Sequence, residues 1–277
     1  MADKLFFSRD TKVFITYTSS TGNLNKAWSV PVLDGFSFSQ TTNTSEITLN
    51  EMANASGVSR RSRQMFTDSY APAEWSFSTY VRPFVSAGSP SLANGVAGAA
   101  STTHAVEEVL WANFLGAGTY DASANDFTEF THGNAGAGLD ITFANSNVAK
   151  LGTFDLIFML GTGSTYRIKG CCVNEASLDF DIDGIATINW SGLGQMLKED
   201  VPVEPTVFED ITSTNNFIRN RLSTLQLVAD DKTSFPGHSG SDGVYNITLT
   251  GGNITISNNM TFLTPESLGV VNQPLQH

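Results

Sequence analysis

Charged residues are scarce in this sequence. They make up 15% of its 277 residues, against roughly 25% in an ordinary soluble domain. The 27 acidic residues outnumber the 15 basic ones, which gives a net charge of −12. Binding nucleic-acid phosphates over a broad surface requires clustered Lys and Arg. The composition therefore argues against such a surface. It does not exclude a protein along which nucleic acid passes without being bound.

Cysteines and long apolar runs are also rare. The two cysteines, Cys171 and Cys172, are adjacent, and a vicinal pair does not form an ordinary structural disulfide. We expect the pair to be buried in or near a strand, because no His or Arg beside it in sequence would make a thiol reactive. The longest apolar stretch, residues 156–160, is too short to cross a membrane, and residues 1–12 lack the apolar core of a signal peptide. These features favour synthesis in a reducing cytoplasm.

The motifs that mark common enzymes are missing. The sequence contains no Gly-rich phosphate-binding motif, no Gly-x-Ser-x-Gly and no His-Glu-x-x-His. The four histidines, His104, His132, His238 and His277, lack the spacing of metal ligands. We therefore expect a protein that is not an enzyme and that uses no cofactor and no metal.

Alternation of apolar and polar residues is the dominant pattern. Residues 75–81, 178–183 and 186–190 alternate with a period of two, which is typical of strands with one buried and one wet face. Further strands are predicted at residues 12–17, 35–39, 46–49, 139–143, 154–160, 166–171, 225–228, 244–249 and 253–257. The pattern predicts a mainly β fold.

One segment has the period of a helix. Residues 104–115 place Val106, Val109, Leu110 and Phe114 along one stripe. Thr102 or Thr103 is the expected N-cap, and a glycine follows the segment. A second, shorter helix is predicted at residues 215–222.

A Pro-containing acidic stretch at residues 200–212 is typical of a linker. It divides the chain into a β module at residues 1–205 and the start of a second β module at residues 206–277, which we expect to be incomplete. A strand–turn–strand pattern recurs in both parts, which is consistent with a duplication or with chance similarity among hairpins.

Two charged clusters are candidate functional sites. Asp179, Asp181 and Asp183 recur at every second position, so on a strand they share one face. A calcium site and a glycosidase carboxylate pair are the chemical alternatives, but residues two apart on a strand lie about 7 Å from each other. An acidic solvated wall fits this spacing better.

Arg60, Arg61 and Arg63 form the one basic cluster. Because arginine pairs carboxylates bidentately and favours interfaces, we expect these residues to lie at an intersubunit contact together with Glu46 and Glu51. A nucleic-acid patch and a plain exposed loop are the alternatives.

Several segments resemble tail tube proteins of tailed bacteriophages. They are DGFSFSQ at 34–40, SEITLNE at 45–51, GVSRRSRQ at 57–64, WSFSTYVRPF at 75–84, VNEASLDFDIDGIATINWSG at 173–192 and LTPESLGVVN at 263–272. The resemblance spans most of the chain and rests on a pattern of strands and turns.

This resemblance implies an antiparallel β-barrel or sandwich with one flanking α-helix. It implies that subunits form six-fold rings, or pseudo-six-fold rings when one chain carries two modules, with a continuous inner barrel. Stacked rings form a hollow tube through which genomic DNA passes without specific binding. The expected location is the virion tail, after assembly in the host cytoplasm. The expected partners are other copies of the chain and baseplate, terminator or sheath proteins.

The resemblance also suggests roles for individual residues. Asp179, Asp181 and Asp183 would face the lumen, where negative charge repels DNA phosphates. They would be joined by residues of the neighbouring strand, namely Ser76, Ser78 and Tyr80. Contacts to the next ring are expected in the loop at residues 86–101, represented by Gly88, Ser91, Asn94 and Gly98.

Three other functions are consistent with the sequence. A β-sandwich binding module, such as a phage fibre, adhesin or carbohydrate-binding domain, would need an exposed aromatic platform. A glycosidase would need a facing pair of carboxylates, and a baseplate hub or tail-completion protein would share the fold of the tube protein.

Overall fold

The computed structural model describes most of the predicted strands. The described residues are 8–18, 25–53, 55–57, 61–85, 103–114, 120–121, 126–127, 153–161, 163–200, 204–205, 207–209, 217–220, 225–228, 244–263 and 275–276.

Strands and one short α-helix make up the regular structure of this part of the chain. The strands are β1 (Thr11–Thr18), β2 (Asn25–Val30), β3 (Ser37–Ser39), β4 (Thr42–Leu49), β5 (Ser62–Tyr70), β6 (Ala73–Tyr80), β7 (Pro83–Val85), β8 (Thr103–Ala105), β9 (Tyr120–Asp121), β10 (Asp126–Phe127), β11 (Phe154–Leu160), β12 (Ser164–Asp181), β13 (Thr187–Gly194), β14 (Met196–Asp200), β15 (Val207–Glu209), β16 (Leu225–Val228), β17 (Val244–Ile247), β18 (Gly251–Ser257), β19 (Phe262–Leu263) and β20 (Leu275–Gln276). The helix is α1 (Glu108–Phe114), and a 3-10 turn at Ser8–Asp10 precedes β1.

Ten of the described strands form one sheet. Its main path runs β15-β2-β1-β11-β12-β13-β6-β3, and β14 and β18 also pair with β12. The pairs are antiparallel except for β15 and β2, which are parallel. The described residues also form five separate two-stranded sheets, namely β4–β5, β7–β8, β9–β10, β16–β17 and β19–β20. The predicted mainly antiparallel β architecture with one flanking helix is confirmed.

Strand β12 organises the sheet because it is long enough to have two sets of neighbours. Its first half pairs with β11 and β14, and its second half pairs with β13 and β18. Between the halves, Gly170 adopts a positive φ of 58°, and the register shifts between Val173 and Glu175. Such irregularities bend a strand and increase its twist, so the two halves of β12 can pair with strands that run in different directions.

The main hydrophobic core lies against one face of the sheet. Trp75, Phe77 and Trp190 are each at most 3% exposed, and burial of a side chain the size of Phe77 contributes about 2 kcal/mol. The Trp190 indole N–H donates a hydrogen bond of 3.0 Å to Thr79 Oγ1. The ring of Phe38 on β3 stacks on Phe158 of β11 at 4.6 Å. The sheet therefore folds over itself and encloses its aromatic residues.

The helix is shorter than the sequence predicts. It begins at Glu108, because the expected first turn instead contains β8, which pairs with β7. Thr103 lies in β8, so its predicted role as an N-cap is wrong. The predicted apolar stripe is confirmed, since Val106, Val109, Leu110 and Phe114 are all buried. Within the part of the chain that the structure describes, no helix is both long and apolar enough to cross a membrane.

Every predicted strand in the described part overlaps an observed strand, although β12 and β4 extend well beyond the predicted residues 166–171 and 46–49. Strands β2, β5 and β14 are not among the predicted ones, and residues 139–143 lie outside the described part. Of the second predicted helix, the described residues 217–220 are not α-helical; Arg219 instead forms an isolated β-bridge with Ile185. Strands β15 and β18 follow the predicted module boundary and join the main sheet, and the boundary itself stays a prediction.

Candidate functional site

A broad polar face covers one side of the strands β3, β6, β13, β12 and β18. The strand register aligns polar side chains in rows across these strands, because residues directly opposite each other point to the same side of a sheet. One row contains Ser37, Ser76, Ser191, Glu175 and Ser257. The next contains Ser78, Asn189, Ser177 and Thr255, and the third contains Tyr80, Thr187, Asp179 and Asn253.

Hydrogen bonds connect these rows from strand to strand. Ser78 donates to Asn189 Oδ1 at 2.5 Å, and the Asn189 amide donates in turn to the Asp179 carboxylate. From the other side, the Asn253 amide donates to Asp179 and to Ser177 Oγ at 2.6 Å. The chain of bonds thus crosses β6, β13, β12 and β18, and the carboxylate of Asp179 stands at its centre.

The first row, which runs from Ser37 to Ser257, forms one end of the face and is also connected by hydrogen bonds. The hydroxyls of Ser37 and Ser76 lie 2.8 Å apart, and Ser257 donates to Glu175 Oε2 at 3.1 Å. An open depression of about 280 Å³ is lined in part by Ser37, Ser76 and Ser191. Its lining also includes Glu74, Asn174 and the largely buried Trp75, so its walls offer hydroxyls, an amide and one carboxylate beside an indole ring.

The predicted lumen residues mostly share this face. Ser76, Ser78, Tyr80, Asp179 and Asp181 all have side chains on it by register. The prediction that the serines lie on the strand next to the aspartates is wrong, because β13 runs between β6 and β12.

Asp183 differs from the other two aspartates. Strand β12 ends at Asp181, and Asp183 lies in the turn that leads to β13, where Gly184 N–H donates to the Asp181 carbonyl at 2.9 Å. The alternation of apolar and polar residues therefore continues through Ile182 and Asp183, beyond the end of the strand. Asp183 is exposed, but it does not belong to the strand face.

Sequence reasoning missed the asparagines that bind Asp179. Asn253 is 74 residues away from Asp179 along the chain and reaches it from β18. Asn189 reaches Asp179 from β13, on the other side of β12. A weak signal existed, since Asn253, Thr255 and Ser257 alternate with apolar residues along β18. Only the register reveals that this polar side joins that of β12.

An aromatic and cationic cluster lies at the opposite end of the face, beside Tyr80. The Tyr80 ring meets Phe217 edge-on at 5.4 Å, and the Arg82 guanidinium lies 5.0 Å from the Phe217 ring centre. Burial lowers the pKa of Arg82, and the negative charge of Glu107 opposes this effect. Residues 217–220 are thereby attached to the main sheet rather than extending away from it.

The predicted intersubunit residues lie on the β4–β5 hairpin and its connection. Arg63 Nε forms an ion pair with Glu46 across the two strands, and Arg61 donates to Met52 Sδ at 3.2 Å. Glu51 is exposed near the turn. Arg60 lies outside the described residues, as do the predicted inter-ring residues Gly88, Ser91, Asn94 and Gly98.

Cys171 and Cys172 are buried in β12 as predicted. Burial raises the pKa of Cys172 to about 12, and it raises the pKa of Cys171 well above its ordinary value. The Cys171 thiol donates to the Ile168 carbonyl at 3.3 Å. Neither thiol has the lowered pKa of a reactive cysteine.

The acidic residues of the face do not converge. Among the described residues, no group of three or more His, Cys, Asp or Glu side chains is placed to hold a metal ion. In the described part of the chain, the arrangement is a hydrogen-bonded, negatively charged surface.

Comparison with known proteins gives one strong sequence similarity. The chain is 28% identical over 274 residues to the tail tube protein pb6 of Escherichia phage T5, which covers 96% of this chain and 53% of that protein. The chain thus spans about half the length of the curated relative it matches. No protein-family model matches the chain.

Solved structures of extracellular contractile injection systems are more distantly similar. A chain of the PVC sheath-tube complex in the extended state is 10% identical, covers 72% of this chain and 94% of its own, and has a TM-score of 0.36. A PVC sheath/tube terminator chain is 8% identical over 73% of this chain and 100% of its own, with a TM-score of 0.35. The cap that terminates the anti-feeding prophage tube is 10% identical over 73% and 94%, with a TM-score of 0.34.

The resemblance inferred from the sequence motifs is confirmed by the similarity to the T5 protein. This chain, with its mainly β fold and polar sheet face, is similar to a bacteriophage tail tube protein over nearly all of its length.

Proposed function

We propose that this chain is a structural, non-enzymatic subunit of a bacteriophage tail tube. Copies of it assemble into six-fold or pseudo-six-fold rings, the rings stack into a hollow tube, and genomic DNA passes through the tube at ejection. The observation that carries the proposal is the polar sheet face centred on Asp179, which would line the lumen. The similarity to the T5 tail tube protein supports the same function.

The chemistry of the face suits a DNA conduit. Strands β3, β6, β13 and β18 and residues 175–181 of β12 contain no Lys or Arg, so nothing on them forms ion pairs with phosphates. Amides and hydroxyls bind water and each other, while Asp179, Asp181 and Glu175 repel the phosphate backbone. DNA can therefore slide along such a wall without being held at any point.

The edges of the face supply a way to close a ring. Among the described strands, β3 lies at one end and β18 at the other, and each has one edge without a strand partner. Free edges promote association, and a closed ring removes them. Pairing of these edges between neighbouring subunits would continue the polar face around the lumen.

The rival binding-module function has less support. The tryptophans do not form an exposed binding platform, because Trp28, Trp75 and Trp190 are at most 2% exposed and Trp111 is half-buried against Trp190 at 4.9 Å. As a tube subunit the chain would reside in the virion tail after assembly in the host cytoplasm. It would contact baseplate, terminator and sheath proteins, and it would need no cofactor.

Size-limited labelling tests the position of the polar face. The variant Asp181→Cys carries one accessible thiol on the face, because the native cysteines are buried. In the unassembled chain, a small maleimide and a maleimide on a bulky polymer should both react with it. In assembled tubes the small reagent should still react, whereas the bulky reagent should be largely excluded.

The same labelling can contradict the proposal in two ways. If the bulky reagent modifies the Asp181→Cys thiol equally fast in tubes and in free chains, the face lies on the outside. If the small reagent is also blocked in tubes, the face is buried between subunits.

A further inference from the structure

The β4–β5 hairpin stands apart from the main sheet. Its strands pair from Thr42 with Tyr70 to Leu49 with Ser62, and they form a separate two-stranded sheet. Ile47, Met65 and Phe66 on this hairpin are 50%, 72% and 45% exposed. An isolated two-stranded hairpin is only marginally stable in water, so an apolar hairpin of this length benefits from a partner.

The two sides of the hairpin differ in chemistry. Ser45 lies opposite Phe66, Ile47 opposite Gln64, and Leu49 opposite Ser62, so Ile47, Leu49 and Phe66 share one side. We call this side the arm face. The other side carries the Glu46–Arg63 ion pair, Thr48 and the exposed Met65, which lies opposite Glu46. The arm face is therefore the more apolar of the two sides, and the ion pair of the hairpin lies on the other side.

A second exposed apolar surface lies on the β16–β17 hairpin. Leu225 lies opposite Ile247, and Leu227 lies opposite Tyr245, so these four side chains share one side, which we call the receptor face. Leu225, Leu227 and Tyr245 are 38%, 45% and 44% exposed. The arm face and the receptor face of the same chain do not cover each other in the structure.

Charge indicates that the arm fits another copy of this chain. Residues 42–70 contain three arginines and three acidic residues. The hairpin is therefore neutral, and the rest of the chain carries the whole net charge of −12. Two copies of an acidic protein repel each other over most of their surfaces, whereas a neutral arm can approach a second copy without this repulsion.

We propose that the arm face of one copy packs on the receptor face of a neighbouring copy. This inference rests on the proposed self-assembly and names the surfaces that perform it. Because the two surfaces differ, the contact is heterologous, and a heterologous contact leads to a closed ring or an open helix rather than stopping at a dimer. The charged side of the arm would then face solvent or the next ring.

Cross-linking between variants that each carry one added cysteine tests this contact, because the native Cys171 and Cys172 are buried. Phe66→Cys and Leu227→Cys chains, marked with tags of different mass, are mixed, oxidised and separated without reductant. The expected product is the mixed dimer, with far less of either self-linked dimer. The matched control is Thr48→Cys, which lies on the same hairpin but on its charged side and should give little product with Leu227→Cys.

A second variant tests the energetic role of the arm face. The double substitution Ile47→Ser and Phe66→Ser should raise the concentration needed for half-maximal assembly by about tenfold or more. The control Thr48→Ser should leave it unchanged. Near-ultraviolet circular dichroism should be native-like in both variants, because the substituted side chains are outside the core.

The outcomes separate the docking proposal from the proposed function. Rings that form without the 66–227 cross-link, or equal cross-linking of Thr48→Cys, overturn the docking proposal and leave the tube function standing. Cross-linked open chains that never close into rings support the docking contact and contradict the tube. Persistent monomers without cross-links overturn both.

Discussion

Asn189 on β13 donates a hydrogen bond to the carboxylate of Asp179 on β12. Asn253 donates to the same carboxylate from β18, so Asp179 is held from both sides. This pairing keeps a negative charge fixed on the polar face without bringing a positive charge near it. The geometry explains how an acidic face can be held rigid although its strands β3, β6, β13 and β18 contain no Lys or Arg.

Substitution of Asp179 should weaken the sheet measurably. Asp179→Ala removes the acceptor of two amide donors, and we expect the free energy of unfolding to fall by about 1 kcal/mol, the usual net value of such bonds. Asp181→Ala is the control, because Asp181 is exposed and its loss should change stability by less than about 0.5 kcal/mol. Urea denaturation followed by tryptophan fluorescence measures both. Equal effects of the two substitutions would show that the network contributes nothing.

Gly192 should be far less tolerant of substitution than Gly184. A Cβ at this position would lie 2.1 Å from the Cys172 carbonyl oxygen and 2.3 Å from Trp75 Cζ2. Gly192→Ala should therefore lower stability by about 3 kcal/mol or prevent folding, since overpacking forces backbone shifts.

Gly184→Ala is the matched control for this substitution. The nearest atom to its added Cβ would be 3.5 Å away, which is ordinary contact. Its melting temperature should stay close to that of the unsubstituted chain. A Gly192→Ala protein that melts at the same temperature as Gly184→Ala would contradict the close packing of Trp75 on β13.

How much of this architecture follows from the sequence depends on the range of the interactions. The alternation at 75–81 and the stripe at Val109, Leu110 and Phe114 are local, so they predicted buried faces correctly. Strand order is not local. Nothing near Ser78 shows that its neighbour is Asn189, because this pairing depends on the packing of Trp190 against Thr79.

The same limit applies to the candidate site. The aspartates were visible in the sequence, whereas the two asparagines that bind Asp179 come from strands whose register is set by the core. The end of β12 was also hidden, since the apolar–polar alternation runs on through Ile182 and Asp183 while the backbone already turns. Short-range patterns identify faces, and tertiary packing decides which faces meet.

The two cysteines should be inert in the folded protein. Because burial raises the pKa of Cys172 to about 12, almost none of it is thiolate at pH 8, and a disulfide reagent should react with neither thiol until denaturant is added. Rapid reaction of either thiol in the native chain would contradict their burial.

The raised pKa of Cys172 also sets the sign of a pH effect. Above the ordinary value of 9.0, the unfolded state releases the Cys172 proton that the native state retains. Stability therefore falls as the pH rises from about 9 to 12 and is unaffected by this group below that range. Cys172→Ala should show a shallower loss over this range, measured by denaturation at several pH values. An identical pH dependence in both proteins would show that the thiol is not desolvated.

The central claim is that copies of this chain form a hollow tube whose wall carries the Asp179 face on the inside. Electron cryo-microscopy of the purified 277-residue chain over a concentration series tests it most directly. The account predicts hollow rings or tubes in which strands β12, β13 and β18 line the lumen. Monomers that persist at every concentration, or tubes in which these strands lie on the outer surface, would contradict it.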